Sequence, residues 1–458
     1  MAKDRRVYTL SNLKPEVKAV TFAKCSRSAK TFSEIANELN EEKSAEFHEK
    51  WVVGYGHSSI AEHAVLNIAV ENISRLATVV LEANRLASFT EKSSRYQVFD
   101  KDNFYFPEKI KNSEYAEEYE KTCMFLMENY LDLFQKLMEF QKKQIPKGPE
   151  EDDKKFEQRL KPLVLDNARL ILPYAALANV GVTMNARTLE YAIIKMLSHP
   201  LDEVKSLGHD IKNVAKAETP TLVKYAQPSI YIMETNRVLG EIAKKYDDKA
   251  SSDQTNVMLI DYRDDAQDWL VTAILYKHTH RSYFELKEKV MEMSQEEKEK
   301  VIEEALKRIG DFDIPLRELE HIYYTFDCLM DEGAFYDFKR HRMCTQTPQN
   351  VTISNGYFVP HLVEKAGLKH QYEESIKRAE DLYKKIYEKF NWEAGYLVLM
   401  CHKRRVLFTV NLRELYHFIK LRYSPMAHFS VREIAKRIYE LVKEKHPLLA
   451  KYIKFKSK

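Results

Sequence analysis

At 458 residues the chain is too long for one hydrophobic core, and roughly 150 residues per domain allows two or three. Its 44% apolar and 31% charged residues describe a folded globular protein rather than a disordered one. The net charge of +3, from 72 basic and 69 acidic residues, gives no electrostatic warrant for nucleic-acid binding.

Neither GxGxxG nor GxxxxGK(S/T) occurs, which argues against a Rossmann or P-loop nucleotide site. The opening MAKDRRVYTL lacks the apolar core of a signal peptide. The longest nearly apolar stretch, 170–182, is shorter than the roughly 18–20 residues of a membrane span. Five scattered cysteines (Cys25, Cys123, Cys328, Cys344, Cys401) form no CxxC pair and no zinc-spaced set. These features lead to the expectation of a cytoplasmic protein with no metal and no membrane association.

In chain order, 114–143 carries apolar residues at helical spacing and predicts a long amphipathic helix. A second helix opens from GPEEDDKKFEQRL (148–160). The polar, turn-forming segment 244–256 predicts a linker, giving domains 1–243 and 257–458. SQEEKEKVIEEALKRIG (294–310) reads as a helix with its charges outward, and HIYYTF (321–326) as a buried strand. His278 and His280 look like a metal pair, but no third ligand is evident and a surface position fits better.

An internal repeat is the more informative pattern. Glu62-His63 precedes Asn84-Arg85 by about the distance that separates Glu320-His321 from His341-Arg342. MNARTLEYAIIKM (184–196) likewise pairs with VNLRELYHFIKLR (410–422). Two matches in the same order argue for duplication.

The stretch 56–97, with His57, Ser59, Glu62 and His63, then Ser74-Arg75, then Ser93, Arg95 and Tyr96, resembles the signature of flavin-dependent thymidylate synthases. ARLILP (168–173), followed by Asn185 and Arg187, matches a later segment of that family. The resemblance implies an α/β (α+β) fold made of two tandem domains of this type, each a central sheet with surrounding helices.

Each copy departs from the pattern. The first has Ala83, Asn84 and Arg85 where the family has Arg-His-Arg, Val80 for its Gln, and Met196 for the last Arg. The second keeps Arg340, His341, Arg342, Asn411, Arg413 and Arg422, but has Asp337 for the Gln, Asn350 and Thr352 for the Ser-x-Arg pair, Gly395 for the early Arg, and Pro315 near the first His. The family builds each site where subunits of a homotetramer meet. The complementary losses therefore imply composite sites shared between the two domains, in a homodimer that mimics the tetramer.

The resemblance implies reductive methylation of dUMP to dTMP, with FAD as cofactor and NADPH and methylenetetrahydrofolate as cosubstrates. Glu91, Ser93, Arg95, Arg169, Arg340 and Arg422 are the implied nucleotide ligands, with Arg340, Ser93 and Arg95 closest to the chemistry. Arginine suits this task because its planar fork gives a phosphate two parallel hydrogen bonds. His57, Ser59, Glu62, Asn185, Arg187, His341, Arg342, Met343, Asn411, Arg413 and His417 are the implied flavin ligands. Asn185-x-Arg187 and Asn411-x-Arg413 are equally readable as backbone-turn residues. Cys344 fits a packing role better than a nucleophile's. Two other readings stay open: flavin-dependent one-carbon transfer to another pyrimidine nucleotide or nucleic acid, and a non-catalytic flavin- or nucleotide-binding relic.

Overall fold

The structure is a computed structural model that describes residues 5–54, 58–246 and 253–455. It resolves into two compact units, and neither is one continuous stretch. The first comprises 1–131, 173–248 and 381–397; the second comprises 132–172, 249–380 and 398–458. Part of the expected linker, 247–252, lies outside the described residues.

The first unit is built on a three-stranded antiparallel sheet in the order β1-β3-β2, where β1 is Val65–Ser74, β2 Ala87–Glu91 and β3 Leu177–Asn185. The period-2 pattern shows in β1, where Leu66, Ile68 and Val70 face inward and their neighbours face out. β1 runs directly into the helix Arg75–Glu82, whose N-cap Ser74 accepts from the Ala77 amide. β3 runs directly into the helix Ala186–Leu197, capped by Asn185. Buried Glu203 accepts from the Ser74 amide at 2.7 Å, the Ser74 hydroxyl at 2.6 Å and the Tyr396 hydroxyl at 2.8 Å. Burial nevertheless raises the Glu203 pKa.

The second unit repeats this plan with one added strand. Its antiparallel sheet has the order β4-β5-β7-β6, with β4 Val257–Tyr262, β5 Tyr323–Asp331, β6 Cys344–Pro348 and β7 Lys403–Asn411. β5 feeds the helix Glu332–Phe338 through N-cap Asp331, and β7 feeds the helix Leu412–Arg422 through N-cap Asn411. The order strand, helix, short strand, long helical segment, strand, helix thus occurs twice in one chain. Tyr324 and Phe326 are buried as the HIYYTF reading expects, whereas Tyr323 is exposed at the strand end.

The expected long helix spans Ala116–Gln144, and the next spans Asp153–Ala168 behind N-cap Asp152. The charged segment 294–310 forms Gln295–Leu306, opened by a capping box of Ser294 and Glu297, with Ile302 and Leu306 buried. Among the described residues no helix is long and apolar enough to cross a membrane.

Candidate active site

In the second unit, the turn between the helix Glu332–Phe338 and β6 carries Arg340, His341 and Arg342. Arg340 is exposed, and its guanidinium has no hydrogen bond or ion pair among the described residues. His341 is buried and held on both sides. Its Nδ1 lies 2.9 Å from Glu414 Oε1, and Arg422 Nε donates to its Nε2 at 3.0 Å. A guanidinium can only donate, so Nε2 must be the acceptor and Nδ1 carries the proton. Burial lowers the His341 pKa, against the pull of Glu414 and with the help of Arg422. The ring is a neutral imidazole with a fixed tautomer and a fixed plane.

Arg422 also pairs with buried Asp337 at 3.1 Å. Glu414 sits at the third position of its helix, whose cap Asn411 accepts from the Glu414 amide at 2.9 Å. That cap leaves the carboxylate pointed at His341. The ligand atoms of His341, Glu414 and His417 lie within 4.8 Å of one another, a set the sequence reading did not single out. The Arg422 guanidinium on the opposite edge of the imidazole disfavours a divalent cation there.

The first unit answers this cluster with uncharged groups. Buried Asn84 stands where His341 does and donates to the Leu81 carbonyl at 2.8 Å; Met196 replaces Arg422 and is buried. Val80 stands at the place of Asp337.

The two Asn-x-Arg segments do the same work in both units. Asn185 accepts from the Thr188 amide at 2.8 Å and Asn411 from the Glu414 amide at 2.9 Å, which places both side-chain oxygens in helix caps. Arg187 pairs with Glu62 at 2.5 Å, and Arg413 with Glu320 at 2.6 Å while also donating to the Pro315 carbonyl. The Glu-His and Asn-x-Arg motifs, far apart in sequence, are therefore the two ends of one ion pair.

Ser93 and Arg95 lie in the loop after β2, where the Arg95 amide donates to Ser93 Oγ at 3.3 Å. Glu91 forms a nearly buried ion pair with Arg75 at 3.6 Å, which commits one of its oxygens within the protein. Arg169, grouped by sequence with the first copy, packs in the second unit because 132–172 folds there. It is buried, 3.9 Å from Asp166, and its Nη2 lies 3.5 Å from the Gly333 carbonyl. The nearby Asp331 carboxyl is pushed up to about 6 by burial.

Ser59 and Glu62 occupy the 3-10 segment Ser58–His63, and His57 lies outside the described residues. Met343 is exposed, and the His417 ring lies 5.6 Å from that of His341. Tyr96 is exposed, as are His278 and His280. Cys344 is buried and its thiol donates to the His341 carbonyl at 3.0 Å, bracing the turn. All five cysteines are free thiols, and burial pushes that of Cys123 up to about 12.

The thymidylate synthase complementing protein family matches twice, over residues 9–221 and 258–448. The chain belongs to this family. Its two matches are a tandem duplication of the family's domain. A UPF0159 protein of Thermoplasma acidophilum is 31% identical over 457 residues, covering 91% of this chain and 90% of the relative. A flavin-dependent thymidylate synthase of Clostridium tetani is 29% identical over 230 residues, covering 47% of this chain and 83% of the relative. A crystal structure of the Helicobacter pylori flavin-dependent thymidylate synthase, complexed with FAD and dUMP, aligns at TM-score 0.34 and 19% identity. That alignment covers 44% of this chain and all of the other.

Proposed function

We propose that this family member carries out FAD-dependent reductive methylation of dUMP to dTMP, with methylenetetrahydrofolate as carbon donor and NADPH as reductant. The His341 cluster carries the reading. A buried neutral imidazole locked between Glu414 and Arg422 fixes the turn, and the exposed, uncommitted Arg340 beside it is a preorganised donor for an anionic ligand. A structural turn would need none of these charges, as Asn84, Met196 and Val80 of the first unit illustrate.

The donor set fits a flavin, because reduction puts negative charge around N1 and O2 and the turn offers a guanidinium group there. Bound there, FAD would supply the hydride. Arg340, His341, Arg342, Met343 and His417 are the proposed holders in the second unit, with Asn411 and Arg413 behind them. Ser59, Glu62, Asn185 and Arg187 are the first unit's counterpart, with His57 assigned by motif alone. Arg340, Arg95 and Ser93 would bind the nucleotide phosphate or base, with Glu91 and Arg169 in support. Arg422 is a positioning residue that fixes the His341 ring. Asp337, charged and paired with Arg422 where the family has Gln, favours another pyrimidine nucleotide as the second reading.

The two residue sets, one in each unit, would serve a single activity in a homodimer. Arg340→Ala and Arg95→Ala should each weaken dUMP binding at least about tenfold, since each removes a charge-assisted hydrogen bond. Both should also abolish tritium release from position 5 of deoxyuridylate. Ala83→Arg and Thr352→Arg should change little. Normal dUMP binding in Arg340→Ala, with loss confined to Arg95→Ala, would end the proposal that both units contribute.

A further inference from the structure

The helix Ile230–Ala243 belongs to neither copy of the duplicated domain, since one family match ends at 221 and the next begins at 258. Its start is fastened. The Ser229 amide donates to Ser198 Oγ at 2.8 Å, and Ser229 Oγ accepts from the Ile232 amide at 3.3 Å. None of the side chains along the helix is buried. Tyr231, Val238, Leu239 and Ile242 stand exposed, as does Tyr246 just beyond its end. A helix of 14 residues is marginal in water when nothing packs on it, and a continuous exposed apolar strip marks an interaction surface.

The pattern of the strip indicates what covers it. Tyr231, Thr235, Val238 and Ile242 follow at steps of four, three and four, with Leu239 alongside, which is the seam of one helix packed on another. The charges lie on a different face, where Arg237 pairs with Glu234 at 3.0 Å and with Glu241 at 2.7 Å. Two acids and one arginine are not the surplus of Lys and Arg that holds a helix on anionic lipid. Charge is also graded along the axis, with Glu234 near the start and Lys244 and Lys245 at the end. Antiparallel pairing of two such helices sets acid opposite lysine at both ends, whereas parallel pairing sets like against like.

We propose that this helix is a dimerisation element that pairs antiparallel with the same helix of a second copy of the chain. A two-fold axis between Val238 and Leu239 makes the pairing self-complementary. It sets Thr235 against Ile242 of the partner subunit and Tyr231 against Tyr246 of the partner subunit. The apolar side chains of both copies would cover on the order of 1,000 Å² in total, the lower end of a specific interface. The connector between the two copies of the domain thereby takes part in assembly. The inference does not rest on the proposed chemistry, because it needs neither flavin nor nucleotide.

The test is disulfide cross-linking of the full chain in a Cys25→Ser background, which leaves only buried native thiols. Under mild oxidation Val238→Cys should give a covalent dimer. Tyr231→Cys alone should not, because the axis holds its two copies roughly 22 Å apart at 1.5 Å per residue. Tyr231→Cys/Tyr246→Cys should link the two chains again. Adding Leu239→Glu/Ile242→Glu to Val238→Cys should cut the cross-linked yield at least about tenfold, and the exposed positions leave the fold intact. No covalent dimer in Val238→Cys would overturn the proposal, as would self-linking of Tyr231→Cys, which requires parallel helices. Binding of the wild-type chain to anionic vesicles, abolished by Leu239→Glu/Ile242→Glu, would overturn it in favour of a lipid surface. All of these readouts are independent of whether the chain binds or methylates dUMP.

Discussion

Replacing Arg422 by Met installs the residue that stands at the matching place in the first unit, and its cost can be worked from the second unit alone. The guanidinium donates to His341 Nε2 at 3.0 Å and to Asp337 at 3.1 Å, and both ends of the ion pair are nearly buried. Removing one partner of such a pair leaves the other charge in a poorly solvated place, at about 3–5 kcal/mol. Asp337→Val/Arg422→Met removes both charges and copies the Val80 and Met196 of the first unit. What remains is the donor lost to His341 Nε2, about 1–2 kcal/mol. The double variant should therefore be more stable than Arg422→Met by about 2 kcal/mol or more, a coupling that the double-mutant cycle isolates. Native-state hydrogen exchange of the Leu412–Arg422 amides reads this locally, without requiring the whole chain to unfold in two states. Both variants should lose flavin and nucleotide binding. Strict additivity of Asp337→Val and Arg422→Met would refute the claim that this ion pair is what makes the two units differ here.

His199, half-buried beside Trp392, accepts the Leu201 amide on Nδ1, and its pKa is pushed down to about 4 by burial first and Lys205 second. A histidine depressed in the folded state contributes stability that is full above its ordinary value near 6.5 and is lost as pH falls below it. Between pH 6.5 and about 4 the loss should reach about 3 kcal/mol. Denaturant titrations at several pH values should show His199→Gln with a correspondingly flatter profile; an equal slope in both proteins would count against it. Gly333→Ala would put a Cβ 2.5 Å from Leu170 Cδ2 and 2.9 Å from Asp331 Oδ1. Since Asp331 caps that helix, the crowding should outweigh Ala's helix propensity and cost about 1–3 kcal/mol. A thermal midpoint at or above that of the wild type would show that the side chains yield freely.

Local pattern made much of the chain legible. Helical spacing fixed the long helix near 114–143, a Ser/Glu capping box opened the helix after Ser294, and the ordered double motif pointed to duplication. Each depends on neighbours within a few residues or on a motif that survives copying. The sequence could not say that 132–172 and 381–397 would fold with the opposite halves of the chain. That choice is made by which apolar faces bury one another, and it moves Arg169 into the second unit. Nor could spacing show that Glu62 and Glu320 are the ion partners of Arg187 and Arg413. Those pairs close only when β1 lies against β3, and β5 against β7. The motif named His341; only the packing of the helix Leu412–Arg422 beside its turn supplied Glu414 and Arg422 and so set its proton. Residue identity determined which donors and acceptors were available, and the long-range contacts decided which of them would meet.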